Sequence, residues 1–341
     1  LRGPATGGEG FAVWYVEAAR RNDMKQLALA LVACAVVASG CDLIGGGGGG
    51  TGGGAGGGSG VTFSKGYVFI RKDDRNVYIA DEADLQTTAR LTTSGGARTP
   101  SLSHDGKRVT FARVTAANDT ELVTVPSAGG TESVVLSAST AVKNLRTPIF
   151  SKDDAQLYFA YDVGPASAVG VVNLDGTGFK SIAGSSSLSY SSPSLSADGL
   201  TLLAAAGGSP STLSQLERIT ISTGMPVNVT NALGVGAEGG VVVNRVVMSP
   251  DGTKAVYDGR ATGGGTRIFV INLSTKVVTK ATEYTADPNT NDSYPSWVGS
   301  DKFAFSSDNG GNDQVYVLPA TSSSTSGGLT LPKAVEPFYG P

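Results

Sequence analysis

The sequence predicts an all-β chain folded as a six-bladed β-propeller of four-stranded antiparallel blades. The first observation is a recurring turn. It reads S-L-S-H-D-G-K-R-V-T-F-A at 101–112, F-S-K-D-D-A-Q-L-Y-F-A at 150–160 and L-S-A-D-G-L-T-L-L-A at 195–204. Two more copies are M-S-P-D-G-T-K-A-V-Y at 248–257 and W-V-G-S-D-K-F-A-F at 297–305. Their fixed acids, Asp105, Asp153, Asp198, Asp251 and Asp301, are spaced 48, 45, 53 and 50 residues apart, a period that belongs to repeat architectures. The second observation is an alternating apolar stretch after each turn, such as Val109 and Phe111 or Leu157 and Phe159, which reads as a half-buried strand. The third is composition: 48 Gly with only 16% charged residues suits many turns joining short strands.

The turn has a physical basis. In Ser249-Pro250-Asp251-Gly252, Pro sets φ, Asp bonds nearby backbone N–H groups, and Gly accepts positive φ. Asp154 and Lys302 stand where Gly is expected. Asp tolerates the left-handed region, whereas Lys302 points to a different local turn.

Each unit then resolves into strands A to D. The first has 100–103, 108–112, 121–125 and 132–136. The second has 148–151, 156–160, 169–173 and 179–182, and the third 193–196, 201–204, 217–221 and 227–230. The fourth has 246–249, 254–257, 267–271 and 276–279, and the fifth 295–298, 302–305, 314–318 and 328–331. The sixth is assembled from both ends. Segments 66–70, 76–80 and 89–92 read as B, C and D without a clear A. V-E-P-F-Y-G at 335–340 puts Pro337 in register with Pro100, Pro148, Pro193 and Pro295. The C-terminal strand is therefore expected to close the first blade, which protects edges an open array would expose. V-T-F-S at 61–64 competes for the same slot.

Together the S-x-D-G turns, the loop S-D-N-G-G-N-D-Q-V-Y-V (307–317) and the turn N-L-D-G-T-G (173–178) resemble the repeats of TolB-like six-bladed propellers over 61–341. The resemblance stops short of TolB itself, which carries an α/β domain before its propeller. It implies an envelope role through contact with a protein partner.

The N-terminal region reads as an address. Met24-Lys25-Gln26 opens an apolar run at 27–40, followed by Cys41, the pattern of a short charged segment, an apolar core and a cleavage point. Residues 1–23 are expected to be an upstream leader and 24–40 the signal. Ala38-Ser39-Gly40-Cys41 resembles the bacterial lipoprotein signal, although Ala38 stands where Leu is usual. That resemblance implies a lipidated Cys41. Leu31-Val32-Ala33-Cys34 fits the letters better, but it leaves an apolar core of only about seven residues. Gly-rich 45–60 would then be a flexible tether of about 20–24 Å, within a linker running 41–60. Asp42 resembles an inner-membrane retention signal, yet sorting rules differ among bacteria. The expected location is the cell envelope, on the periplasmic side or at the outer membrane.

Little chemistry is in view. His104 is the only histidine, and it occupies the same turn position as Lys152, Ala197, Pro250 and Ser300, so it reads as an exposed turn residue. One His builds neither a Ser-His-Asp triad nor a multi-His metal site. The five repeated Asp read as hairpin caps. D-N-G-G-N-D at 308–313 lacks the bidentate Glu of a helix-flanked calcium loop. No metal or cofactor is expected. With 26 Lys+Arg against 29 Asp+Glu and net charge −3, no basic stripe for nucleic acid is present.

Binding is expected on the face of the B–C and D–A loops, whose lengths vary most: 113–120, 161–168, 205–216, 231–245 and 283–293. Arg98, Arg146, Tyr190, Arg245 and Tyr294 precede the A strands and are candidates to ring the mouth. Guanidinium groups there would suit an acidic protein or peptide partner. The expectation is a monomeric, lipid-anchored, non-catalytic interaction module. The alternatives are a cell-wall or glycan hydrolase or lyase using lumen carboxylates, and a purely structural envelope protein.

Overall fold

The computed structural model describes residues 63–184, 188–230, 233, 239–262, 264–283, 289–321 and 331–340. The expected leader, signal and tether, with Cys34 and Cys41, lie outside the described residues, as do Val61 and Thr62. Among the described residues no helix is long and apolar enough to cross a membrane.

The described chain is β-structure throughout, apart from a 3₁₀ turn at Asn309–Gly311. Strands β1 (Gly66–Arg71), β2 (Val77–Asp81) and β3 (Thr88–Arg90) open it. Next come β4 (Ala97–Leu102), β5 (Arg108–Val114), β6 (Thr120–Pro126) and β7 (Ser133–Ser137), which form one antiparallel sheet. A second sheet holds β8 (Lys143–Phe150), β9 (Gln156–Val163), β10 (Ala166–Asn173) and β11 (Lys180–Ala183). They are followed by β12 (Ser189–Leu195), β13 (Thr201–Gly207), β14 (Leu213–Thr220) and β15 (Met225–Asn228), then β16 (Val242–Met248), β17 (Lys254–Arg260), β18 (Thr266–Asn272) and β19 (Val278–Lys280). The last sheet is β20 (Asp292–Val298), β21 (Lys302–Ser307), β22 (Gln314–Pro319) and β23 (Leu331–Pro332). Finally β24 (Ala334–Gly340) pairs antiparallel with β1, Tyr67 opposite Tyr339 and Val68 opposite Phe338. The contested slot beside β1 is thus occupied by the C-terminal strand. Ser64, at the end of the competing segment, is held instead by the Asp81 carboxylate, which accepts its N–H at 2.7 Å.

Two features depart from expectation. The third and fourth units share a sheet, because Leu213 of β14 pairs with Val242 of β16. That bridge is the single register pair between them, and each half keeps its own four strands. The inner strands also begin earlier than their prolines: at Ala97, Lys143, Ser189 and Asp292 rather than Pro100, Pro148, Pro193 and Pro295. A register shift absorbs each proline, at Arg98/Ser101, Arg146/Ile149, Ser191/Ser194 and Ser293/Ser296. A bulge is where a strand tolerates a residue without a donor.

The apolar core lies between sheets rather than within them. Val68, Ile70, Val77 and Ile79 face Leu102, Val109, Phe111 and Val123 of the next sheet. Similar clusters join each sheet to its successor, ending with Ala304, Val315 and Leu331 against Tyr67, Phe69 and Tyr78. The inner strands likewise pack in a closed cycle, β4 on β8, β8 on β12, β12 on β16, β16 on β20, β20 on β24 and β24 on β4. This is an all-β propeller of four-stranded antiparallel blades, and the inner strands line its lumen.

Candidate functional site

The recurring turns are built by a Ser–Asp pair. Ser103 Oγ donates to Asp105 (2.7 Å) and accepts the Arg108 N–H (2.9 Å). The same arrangement joins Ser151 to Asp153 (2.6 Å), Ser196 to Asp198 (2.5 Å) and Ser249 to Asp251 (2.5 Å). The serine hydroxyl holds each of these four carboxyls below the usual carboxylate range. Asp301 has no such serine, since Gly299 stands at that position and takes the positive φ, +66°. Asp154, at φ +55°, reaches back to the preceding blade. Its carboxylate accepts the backbone N–H of His104 (2.8 Å) and Asp105 (3.0 Å) and sits 3.0 Å from His104 Nδ1. Here Asp provides an interblade clamp that Gly could not.

The lumen is organised by the residues just before the prolines. Thr99, Thr147, Ser192, Tyr294 and Glu336 all have φ between +45° and +55°, a region costly for residues with a Cβ. The bulge turns each toward the axis, and their polar atoms link one inner strand to the next. Thr147 N–H donates to Thr99 Oγ1 (3.1 Å), Val246 N–H to Ser192 Oγ (2.8 Å) and Thr99 N–H to Glu336 Oε2 (2.5 Å). Arg245 stands at the equivalent place in β16 and donates through Nη1 to Pro337 O (2.7 Å). Its guanidinium also lies 5.5 Å from the Tyr294 ring centroid. Asp258, fully buried, accepts from Asn244 N and Nδ2, Arg245 N and Tyr294 N at 2.7–3.0 Å. Burial pushes the Asp258 carboxyl up and the Arg245 guanidinium down. These groups form a polar waist.

Cavities lie to either side of it. On the turn side, one of about 470 Å³ is lined by Ile149, Val247, Phe338, Trp297, Ser101 and Arg245, among others. On the loop side are two smaller ones, about 380 and 330 Å³, which share Arg98 and Tyr294.

The five mouth candidates separate. Arg98 is exposed, and its side chain makes no hydrogen bond or ion pair among the described residues. Arg146 lines the same cavity but is spent locally, on Asp162 (2.8 Å), Asn144 O (2.9 Å) and Ser167 Oγ (2.7 Å). Tyr190 is not at the mouth: it is 3% exposed in the core between blades, its hydroxyl donating to Glu217 (2.6 Å). Arg245 is buried and faces the turn-side cavity, opposite to the expected side. Tyr294 sits at the waist, where burial raises its phenol pKa. The reason is register. Arg98 and Arg146 stand two before the proline and Tyr190 three before, so alternation sends them to different faces, while Tyr294, one before, lies within the bulge and is turned away from the regular ladder that Tyr190 keeps opposite Ala206. Counting back from the proline would have sorted them. The same count would have found Glu336, which precedes Pro337. D-N-G-G-N-D is likewise occupied internally: Asp308 accepts from Asn291 N (2.6 Å) and Nδ2 (2.8 Å), and Asp313 pairs with Lys72. Among the described residues no group of three or more His, Cys, Asp or Glu converges as metal ligands.

No protein-family model matches the chain, and no curated protein matches its sequence. Solved structures do resemble it. TolB from Acinetobacter baumannii superposes with TM-score 0.61 at 18% identity, over 81% of this chain and 66% of that one. A chain of a nidogen/laminin complex gives TM-score 0.61 at 7% identity, over 82% and 99%. Oligogalacturonate lyase from Vibrio parahaemolyticus gives TM-score 0.50 at 16% identity, over 76% and 79%. At such identities these likenesses speak for the propeller fold alone.

Proposed function

We propose that this chain is a lipid-anchored, non-catalytic interaction module of the cell envelope, a six-bladed propeller that binds an acidic protein or peptide on its B–C/D–A loop face. The blade count takes the eight-stranded sheet as two blades, since one residue pair joins its halves. The observation that carries the binding side is Arg98, an exposed guanidinium without a partner among the described residues, between two cavities. A free fork of donors at a concave mouth suits a carboxylate-bearing partner. The resemblance to TolB supports the interaction role, and the Cys41 motif supports the anchor. The lumen acids favour binding over catalysis, because Asp258 is saturated by four donors and Glu336 is held by Arg75 (2.8 Å) and the Thr99 N–H.

The test is a pull-down from envelope extracts followed by titration of the captured partner. Arg98→Ala should weaken binding by about 1–3 kcal/mol, while Lys107→Ala on the opposite face should change it little. Equal losses from both would overturn the binding side. Turnover of an envelope glycan that Asp258→Asn abolishes would overturn the non-catalytic reading. For the anchor, Cys41→Ser should abolish lipid labelling; labelling lost only in Cys34→Ser would move the site.

A further inference from the structure

The turn-side cavity carries an inference independent of the loop face. Around its wall the residue following each inner-strand proline position alternates in kind: Ser101, Ile149, Ser194, Val247, Ser296 and Phe338. Apolar and hydroxyl groups therefore interleave around one ring. Two of the serines are spoken for, Ser194 Oγ accepting the Met248 N–H (2.9 Å) and Ser296 Oγ the Tyr339 N–H (3.0 Å). Ser101 breaks the pattern: its residue is 2% exposed and its buried Oγ has no hydrogen-bond partner. A buried hydroxyl left unpaired is costly and uncommon, so this wall carries a polar point that the blades themselves do not satisfy.

The second observation is the waist. Arg245 is 6% exposed and lines this cavity. Nη1 is bonded to Pro337 O, but Nε and Nη2 have no acceptor among the described residues. The two nearby acids do not take them. Glu336 is bonded to Arg75 and the Thr99 N–H, and Asp258 to Asn244, Arg245 N and Tyr294 N. A largely buried guanidinium with unused donors at a cavity wall offers a strong hydrogen-bonding partner for an anion. Above it the walls are apolar: Ile149, Val247, Phe338 and Trp297, whose indole N–H is already bonded to Val247 O (2.9 Å). At about 470 Å³ the space is in the range of small-ligand sites, which pair an apolar lining with few polar groups.

We propose that this cavity binds a carboxylate carried on an apolar body, the carboxylate engaging the unused donors of Arg245 while the body packs on Ile149, Val247, Phe338 and Trp297. A free alkyl acid and the C-terminal residue of a peptide both present this chemistry.

Calorimetry on the full chain, with Trp297 emission followed in a Trp14→Phe background, tests it. The probes are decanoate and decanol, and the peptide Gly-Gly-Leu-Leu with a free or an amidated C-terminus. Each acid that binds should lose about tenfold or more in affinity when its carboxylate is replaced by the alcohol or amide. Decanoate binding identifies an alkyl acid, and binding by the peptide acid alone identifies a chain end. Ile149→Glu, at a half-buried wall position, should abolish binding of either. Arg245→Met, if folded by near-ultraviolet circular dichroism, should reproduce the carboxylate loss; if it is unfolded, the acid-against-alcohol comparison in the native protein decides. Equal binding of decanoate and decanol, unchanged binding in Ile149→Glu, or binding by none of the probes would overturn the proposal.

Discussion

Glu336 tests whether the ring is latched where its two chain ends meet. The residue sits on β24 with its side chain 5% exposed. Oε1 accepts from Arg75 Nη2 at 2.8 Å, on the β1–β2 hairpin of the same blade. Oε2 accepts from the Thr99 N–H at 2.5 Å, on the inner strand of the next blade. One carboxylate therefore ties the closing strand in two directions. In Glu336→Gln one of those oxygens becomes an NH₂, so a donor must face a donor on one side. Breaking one partner of a buried pair costs about 3–5 kcal/mol, and a hydrogen bond to a charged group is worth about 1.5–3. Arg75 is 35% exposed, so water can replace part of its loss, and the expected cost is about 2–3 kcal/mol. For a domain of this size that corresponds to a fall in Tm of about 5–10 °C. Thermal and urea unfolding of Glu336→Gln, Arg75→Met and the double variant would measure it, with a coupling energy of about 1–2 kcal/mol expected from the cycle. A Tm within about 1 °C of the parent, with coupling below about 0.3 kcal/mol, would show that the latch does not hold the ring.

Two further outcomes are expected. Truncation after Lys333 removes all of β24, with its register against β1 and the Tyr67–Tyr339 edge contact at 5.0 Å; it should expose an edge and promote aggregation, and an unchanged melt by circular dichroism would show that another segment fills the slot. The carboxyls of Asp105, Asp153, Asp198 and Asp251 are held low by their serine hydroxyls, so their contribution is complete above the unfolded Asp pKa of about 3.9 and is lost as pH falls through the lower folded values. The fourfold Asp→Asn variant should be less stable at neutral pH and show a shallower acid limb; an acid limb identical to the parent's would refute this.

What the sequence made legible is whatever repeats. The Ser–Asp turn, the strand after it and the register of Pro337 all follow from local chemistry that each blade repeats, so one copy explains the others. The mouth is harder to read because residue type alone does not give the offset from the proline. Tyr190 and Arg98 differ by one step along the strand, and that step separates an interblade core from an exposed mouth. The start of the inner strands is hidden for a related reason. A proline reads as a boundary when only its missing N–H is considered, yet a bulge lets the strand continue through it. The Leu213–Val242 bridge has no local signature at all, since it depends on how two blades lean together.

The departures from the repeat are therefore the informative positions. Asp154 replaces a turn glycine and clamps the preceding blade through two backbone N–H groups. Arg245 replaces the Thr or Ser found before the first three prolines and puts a cation at the waist. Glu336, in the same slot, ties the closing strand to Arg75 of its own blade and to Thr99 of the next. Asp258 stands in β17 where β5, β9 and β13 carry Ala112, Ala160 and Ala205, and it gathers the backbone N–H groups of Arg245 and Tyr294. A ring of identical blades would have a lumen of one character all round. Substituting charged groups in the fourth and closing units, with Tyr294 between them in the fifth, breaks that sameness and confines these buried charges to one arc of the waist. The first three units keep Thr99, Thr147 and Ser192 there, so a ligand entering from the turn side meets hydroxyls on one arc and Arg245 on the other. That asymmetry, not the repeat, is what gives the lumen a direction in which to orient a polar head group.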